Sequence, residues 1–165
     1  MARTAKSPDS TRPPPRLRRA YYDCRYGQLH LHNAIPSGGG FDELTSVLCV
    51  HGSDETARAF VPLLGVLGLE RSVYAPDLPG YGESDPAVGQ SALESGVNAL
   101  ADFLDSMRIR SVDLLARGDG AGIAQQLAKL RGAGVRKLVV LSAADAASAD
   151  LPRKLLATLG GTQPT

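Results

Sequence analysis

The sequence predicts an α/β fold, a three-layer αβα sandwich around a mostly parallel sheet. Apolar runs of strand length alternate with helix-like segments along most of the chain, the pattern of a parallel sheet covered by helices. The run Val47-Leu48-Cys49-Val50 is apolar at every position, as a strand buried on both faces must be. A length of 165 residues with 43% hydrophobic content gives one domain with a sizeable core.

The elements follow in order. Ala20 to Tyr26 and Gln28 to Ala34 read as two strands joined near Gly27, and in the second Leu29 and Leu31 share one face while His30 and His32 share the other. Ser37-Gly38-Gly39-Gly40 is a loop, and residues 47–50 are the buried strand. Residues 58–69 form a helix expected to break at Pro62, and Val73-Tyr74-Ala75 is a further strand. Ser91-x-x-Glu94 has the form of a capping box, and behind it Leu93, Val97, Leu100, Leu104 and Met107 make one helical stripe. Ser111 to Leu115 is a strand, followed by a helix carrying Ile123, Leu127 and Leu130 that ends at Gly132 or Gly134. Lys137 to Ser142 is the last strand, and Leu151 to Leu159 a short amphipathic piece.

Charge is distributed unevenly behind a formal net of +1. Residues 1–19 hold Arg3, Lys6, Arg12, Arg16, Arg18 and Arg19 against Asp9 alone, which leaves 12 basic and 16 acidic residues in the rest. This segment has no aromatics and no amphipathic period, and it contains Pro13-Pro14-Pro15. It reads as a disordered basic tail before a domain over 20–165, and nucleic acid is not an expected partner. No apolar stretch approaches the ~20 residues of a membrane span. Arg18-Arg19 lack a following apolar region and the prolines oppose a transit helix, so the expected location is cytoplasmic. Cys24 and Cys49 read as small buried hydrophobes rather than a disulfide.

Two motifs carry a resemblance. Val47 to Val50 runs into His51-Gly52, and Val73-Tyr74-Ala75 runs into Pro76-Asp77-Leu78-Pro79-Gly80-Tyr81-Gly82-Glu83-Ser84-Asp85. Together they resemble the α/β-hydrolase family, over roughly residues 20–145. The resemblance implies strands one to six of an eight-stranded sheet, truncated before the two strands whose loops usually supply the acid and the histidine. It also implies that His51-Gly52-Ser53 is the oxyanion loop, with the Ser53 amide helping to hold a negative oxygen, and that His51 is not the general base. Asp77 to Asp85 is implied to be architectural.

The family's nucleophile sits at the centre of a Gly-x-nucleophile-x-Gly turn. The match is Ala116-Arg117-Gly118-Asp119-Gly120, which puts Gly118, a residue with nothing to attack with, at that position. A one-residue slip would bring Asp119 to the apex, as in relatives that use aspartate against epoxides or alkyl halides, but Arg117 and Ala121 would then flank it where glycine is favoured. Without the slip, Asp119 is expected to cap the following helix. Asp145, just after the last strand, stands where some relatives place the triad acid. His30 and His32 share a strand face but have no third ligand at recognisable spacing, so they are expected at the surface and no metal or other cofactor is expected.

The expected function is that of a degenerate or incomplete hydrolase-fold protein, a pseudoenzyme without triad catalysis that binds a small hydrophobic ligand in the residual site. One alternative is an active ester or epoxide/haloalkane hydrolase, using Asp119 or groups supplied in trans. Another is an interaction module that forms a homodimer through the exposed edge of its sixth strand.

Overall fold

The computed structural model describes residues 13–38 and 44–160. Its six strands are β1 (Arg16–Cys24), β2 (Gly27–Ile35), β3 (Ser46–Val50), β4 (Val73–Pro76), β5 (Val112–Arg117) and β6 (Val135–Leu141). They form one sheet in the order β1-β2-β4-β3-β5-β6. β1 and β2 make an antiparallel hairpin, β2 is antiparallel to β4, and the β4-β3-β5-β6 pairings are parallel. Five α-helices complete the fold: α1 (Val61–Leu67), α2 (Ala92–Ser106), α3 (Gly120–Arg131), α4 (Ala143–Ala147) and α5 (Leu151–Leu159).

The three layers follow from strand periodicity. Alternate side chains of β3 leave opposite faces of the sheet. Leu48 and Val50 enter a core with Leu100, Phe103 and Leu104 of α2 and with Ile123 and Leu127 of α3. Val47 and Cys49 enter a second core with Leu63, Leu64 and Leu67 of α1 and with Leu151, Leu155, Leu156 and Leu159 of α5. All four β3 residues from Val47 to Val50 are buried, as their unbroken apolar run requires. Cys49 is a free thiol whose pKa burial pushes up, and Cys24 is also free.

Local signals explain most helix boundaries. The Ser91 hydroxyl accepts the Glu94 amide at 3.1 Å and starts α2. Pro62 does not break its helix; it stands in the first turn of α1, where its missing N–H has no partner to lose. A 3₁₀ turn over Ala57–Phe60 precedes it. On α3 the buried face is Gly120, Ile123, Ala124 and Leu127, and Leu130 lies outside it.

Residues 16–19 of the tail expected over 1–19 are strand. β1 begins at Arg16, and Arg16 to Arg19 pair with Ile35 to His32 of β2. Charged side chains suit an edge strand, and their backbone pairing leaves no hydrophobic signature in the sequence. Residues 1–12 of that tail, and residues 39–40 of the glycine loop, lie outside the described residues. Among the described residues no helix is long and apolar enough to cross a membrane.

His30 departs from the expected surface position: it is buried, and both ring nitrogens are bonded. Nδ1 contacts Asp77 Oδ2 at 2.9 Å, and Nε2 accepts from Arg19 Nε at 3.1 Å. His32 packs edge-on against it with ring centroids 5.1 Å apart. The side chains of Arg19 and Tyr21 on β1, together with Asp77, cover a face that alternation alone would leave to solvent.

Asp77 is the hub of the loop after β4. Its Oδ1 accepts the Ala57 amide at 2.9 Å, and its Oδ2 accepts from His30 and from the Glu83 amide at 3.2 Å. Its own N–H donates to the His30 carbonyl at 2.8 Å. The Ser84 hydroxyl donates to the Asp77 carbonyl at 2.6 Å and accepts the His30 amide at 2.9 Å. Gly82, at φ +51°, leaves room for this carboxylate, which a Cβ there would overlap.

Burial alone would raise the Asp77 pKa, but the bonds from His30, Ala57 and Glu83 outweigh it and hold the pKa below the ordinary value. The carboxylate's contribution is therefore complete above the unfolded value of about 4 and is lost as pH falls through the depressed folded value. Asp77→Asn should lower stability at pH 7 by about 1.5–3 kcal/mol, since it removes hydrogen bonds to a charged group. Urea unfolding from pH 7 to 3 should show the wild-type and variant curves converging at the acid end.

Candidate functional site

Two strand ends meet here. β3 leads into His51-Gly52-Ser53, and beside it β5 leads through Gly118-Asp119 into α3. Gly118 has φ +55°, the left-handed conformation that lets a strand reverse sharply into a helix. Asp119 is already in the right-handed helical region, at φ −74° and ψ −5°. Gly120 fixes the register, because a Cβ there would stand 2.5 Å from the His51 carbonyl oxygen and 2.8 Å from that of Val50. The first turn of α3 thus rests directly on the end of β3, and the apex of the turn is Gly118 rather than Asp119.

Asp119 occupies the N-cap position of α3, but its side chain makes no cap bond. This corrects the expectation that it caps the helix. Its Oδ1 accepts the Ser53 amide at 2.6 Å, and its Oδ2 accepts the Ser53 hydroxyl at 2.5 Å. Bonds from Ser53, hydroxyl first and amide second, hold the Asp119 carboxyl below the usual range, and its own amide adds to them. Ser53 offers two donors in one direction, an arrangement a carboxylate takes up in preference to a single helix amide. The amide expected to serve an oxyanion is thereby occupied by a carboxylate of the same chain.

His51 is a strut. Its Nε2 accepts the Leu78 amide at 3.0 Å and its Nδ1 donates to the Gly52 carbonyl at 2.8 Å, which joins the loop after β3 to the Asp77 loop. Tyr81 packs edge-on against the ring at 5.1 Å between centroids. Both nitrogens are taken by backbone, so His51 has no role as a base. Gly52 is braced by Glu55, which the sequence did not single out, and through it by Arg117. The Gly52 amide donates to Glu55 Oε1 at 3.1 Å, and Arg117 Nε lies 3.1 Å from the same oxygen.

Asp145 is placed elsewhere in its chemistry. It is the third residue of α4 in a complete capping box: its amide donates to Ser142 Oγ, and its Oδ2 accepts the Ser142 amide, each at 3.1 Å. The backbone and hydroxyl of Ser142 hold its pKa down, so this exposed carboxylate is engaged in starting a helix rather than orienting a base. The spacing Ser142-x-x-Asp145, the same as in Ser91-x-x-Glu94, carried that signal.

Between the two loops and the start of α2 lies a cleft of about 160 Å³. Its polar edge is His51, Ser53, Asp119 and Gly120, and its walls are Leu78, Pro79, Tyr81, Ala92, Leu93 and Ile123. Leu93 and Ile123 lie on the apolar helix stripes the sequence predicts; Ile123 also belongs to the core, whereas Leu93 is exposed. Periodicity identifies an apolar position without saying whether a neighbour or a cleft faces it.

The model of the family described as "Alpha/beta hydrolase family" matches residues 47–164, a span that includes both loops and the turn. The chain belongs to this family. It is 33% identical over 116 residues to the 2-hydroxymuconate semialdehyde hydrolase of a Pseudomonas species, a match that covers 68% of this chain and 40% of that hydrolase. Among solved structures, an epoxide hydrolase variant from Vigna radiata superposes with a TM-score of 0.67 at 24% identity, over 76% of this chain and 38% of that one. A carboxylesterase from Bacillus subtilis gives 0.66 at 18% identity, over 76% and 43%. These likenesses show the fold, and the chain spans less than half the length of each of these relatives.

The turn itself is testable through Gly120. Gly120→Ala forces a Cβ into the β3 carbonyls and should cost about 1–3 kcal/mol by chemical denaturation. Gly122→Ala, at a position with open space, should be neutral or slightly stabilising.

Proposed function

We propose that this chain is a hydrolase-fold pseudoenzyme without triad catalysis of its own, whose residual cleft binds a small hydrophobic ligand. One observation carries this reading: at the apex of the turn stands Gly118, and the Asp119 carboxylate lies across the Ser53 amide beside it. Nucleophilic catalysis needs an attacking atom, a base within reach and free donors for the developing negative oxygen. Gly118 supplies no atom, and both nitrogens of His51 and of His30 are bonded elsewhere. A carboxylate over Ser53 would repel a developing oxyanion.

A fluorophosphonate activity probe tests it. No stoichiometric labelling is expected, and a labelled serine near the turn would overturn the reading. A Cβ at Gly118 would have open space, its nearest neighbour being Gly52 Cα at 4.0 Å. At φ +55° a side chain is strained even in open space, so Gly118→Ser should cost about 1–2 kcal/mol of stability, and it should restore little ester hydrolysis, because a serine without an adjacent base is not activated.

The exposed Asp119 carboxylate in the cleft favours a second reading, in which it attacks a carbon of an epoxide or haloalkane and forms an alkyl ester as the ring C–O bond opens to an alkoxide that takes a proton from water, or as halide leaves. The helical backbone at Asp119 and the two Ser53 bonds oppose this. Intact-mass spectrometry after incubation with such electrophiles should show no Asp119-dependent mass gain, and an adduct lost in Asp119→Ala would establish the second reading.

Homodimerisation through β6 is proposed on a separate observation. Among the described strands β6 pairs with β5 alone, and Val140 is 46% exposed. The charges at its start are engaged: Arg136 bonds Asp113 at 2.5 and 3.0 Å and the Leu159 carbonyl at 2.6 Å, and Lys137 bonds the Thr158 carbonyl. α5 covers one face of the strand and leaves its edge without charge or proline. Light scattering of these 165 residues should show a dimer or larger species that Val140→Lys shifts toward monomer.

A further inference from the structure

We propose, on the ligand-binding reading given above, that the cleft selects a small apolar ligand carrying an ammonium head, seated on the Asp119 carboxylate, over a neutral or anionic ligand of the same shape. The Asp119 carboxylate is the only acidic side chain among the lining residues, which include no Lys or Arg, and both nitrogens of His51 are bonded to backbone. Among the described residues no Lys or Arg forms an ion pair with it. Arg117, two positions earlier, is held by Glu55 at 3.1 Å. The carboxylate is exposed, and Ser53 uses one acceptor direction on each oxygen. A carboxylate offers about four such directions, so room remains for an N–H donor from the cleft.

The walls set the rest of the ligand. Leu78, Leu93 and Ile123 present aliphatic surface beside this charge, and Leu93 is 45% exposed at the mouth of the cleft on the first turn of α2. An alkyl chain covering Leu93 and Ile123 removes apolar surface from water on both partners. Its ammonium group then meets the carboxylate at a charge-assisted hydrogen bond. An anionic head in the same place would face like charge and find the Ser53 amide already satisfied. A volume of about 160 Å³ restricts the body to a short chain or a single ring.

The test is a matched series on the full chain at pH 7, titrated by ¹H–¹⁵N chemical-shift perturbation: hexylammonium, 1-hexanol and hexanoate. Hexylammonium should bind about tenfold more tightly than hexanol and hexanoate should be weakest, with the advantage shrinking as salt is added. Asp119→Asn should bring hexylammonium to the affinity of hexanol and leave hexanol unchanged. Leu93→Ser should weaken hexylammonium and hexanol alike. Equal affinity for hexylammonium and hexanol, or an ammonium preference that survives Asp119→Asn, would overturn the cation selectivity while leaving the binding reading intact. Absence of cleft-centred shifts with all three would overturn the binding reading itself.

Discussion

Burial of the Asp77 carboxylate is the constraint on which the geometry of this molecule depends. A carboxylate taken out of water must find enough donors to offset its lost hydration. Here they come from three separate parts of the chain: His30 on β2, Ala57 ahead of α1, and Glu83 in the loop after β4. Satisfying one charge therefore fixes the spacing of three segments. It also positions the Leu78 amide to meet His51, and so ties the floor of the cleft to the loop after β3.

Close approach of backbone to backbone does similar work at the turn. Gly120 lies so near the His51 and Val50 carbonyls that no side chain fits, and this contact, with the left-handed Gly118, builds the strand-to-helix reversal of the family. Gly118 at the head of this strand-to-helix turn brings no side chain to it. Asp119 then faces a choice between the amides at the start of α3 and the two donors of Ser53. It takes the latter, which ties the two loops together and gives the cleft its charge.

The electrostatics of the other end of the sheet are separate from this. Asp113 is fully buried on β5 and is met by Arg136 of β6, whose guanidinium also reaches the end of α5. That arrangement draws α5 across the second core, where Leu151, Leu155, Leu156 and Leu159 pack beside Leu115 and Leu141. α5 shields a face of β6 rather than its hydrogen-bonding edge.

The sequence by itself determined the layer architecture, the strand order in the chain and the place of the turn, because these depend on local properties. The apolar run 47–50, the serine three residues before Glu94 and the glycine at 118 each act through backbone conformation or burial within a few residues. Only the tertiary structure decided what the polar residues do. His30 is buried because Asp77 and the side chains of Arg19 and Tyr21 cover it, Arg16 to Arg19 are strand because they pair with residues 32–35, and Asp145 completes the capping box begun by Ser142. The partner of Asp119 lies 66 residues away at Ser53, and the choice between capping a helix and bonding Ser53 is a competition between donors whose positions only the folded chain defines.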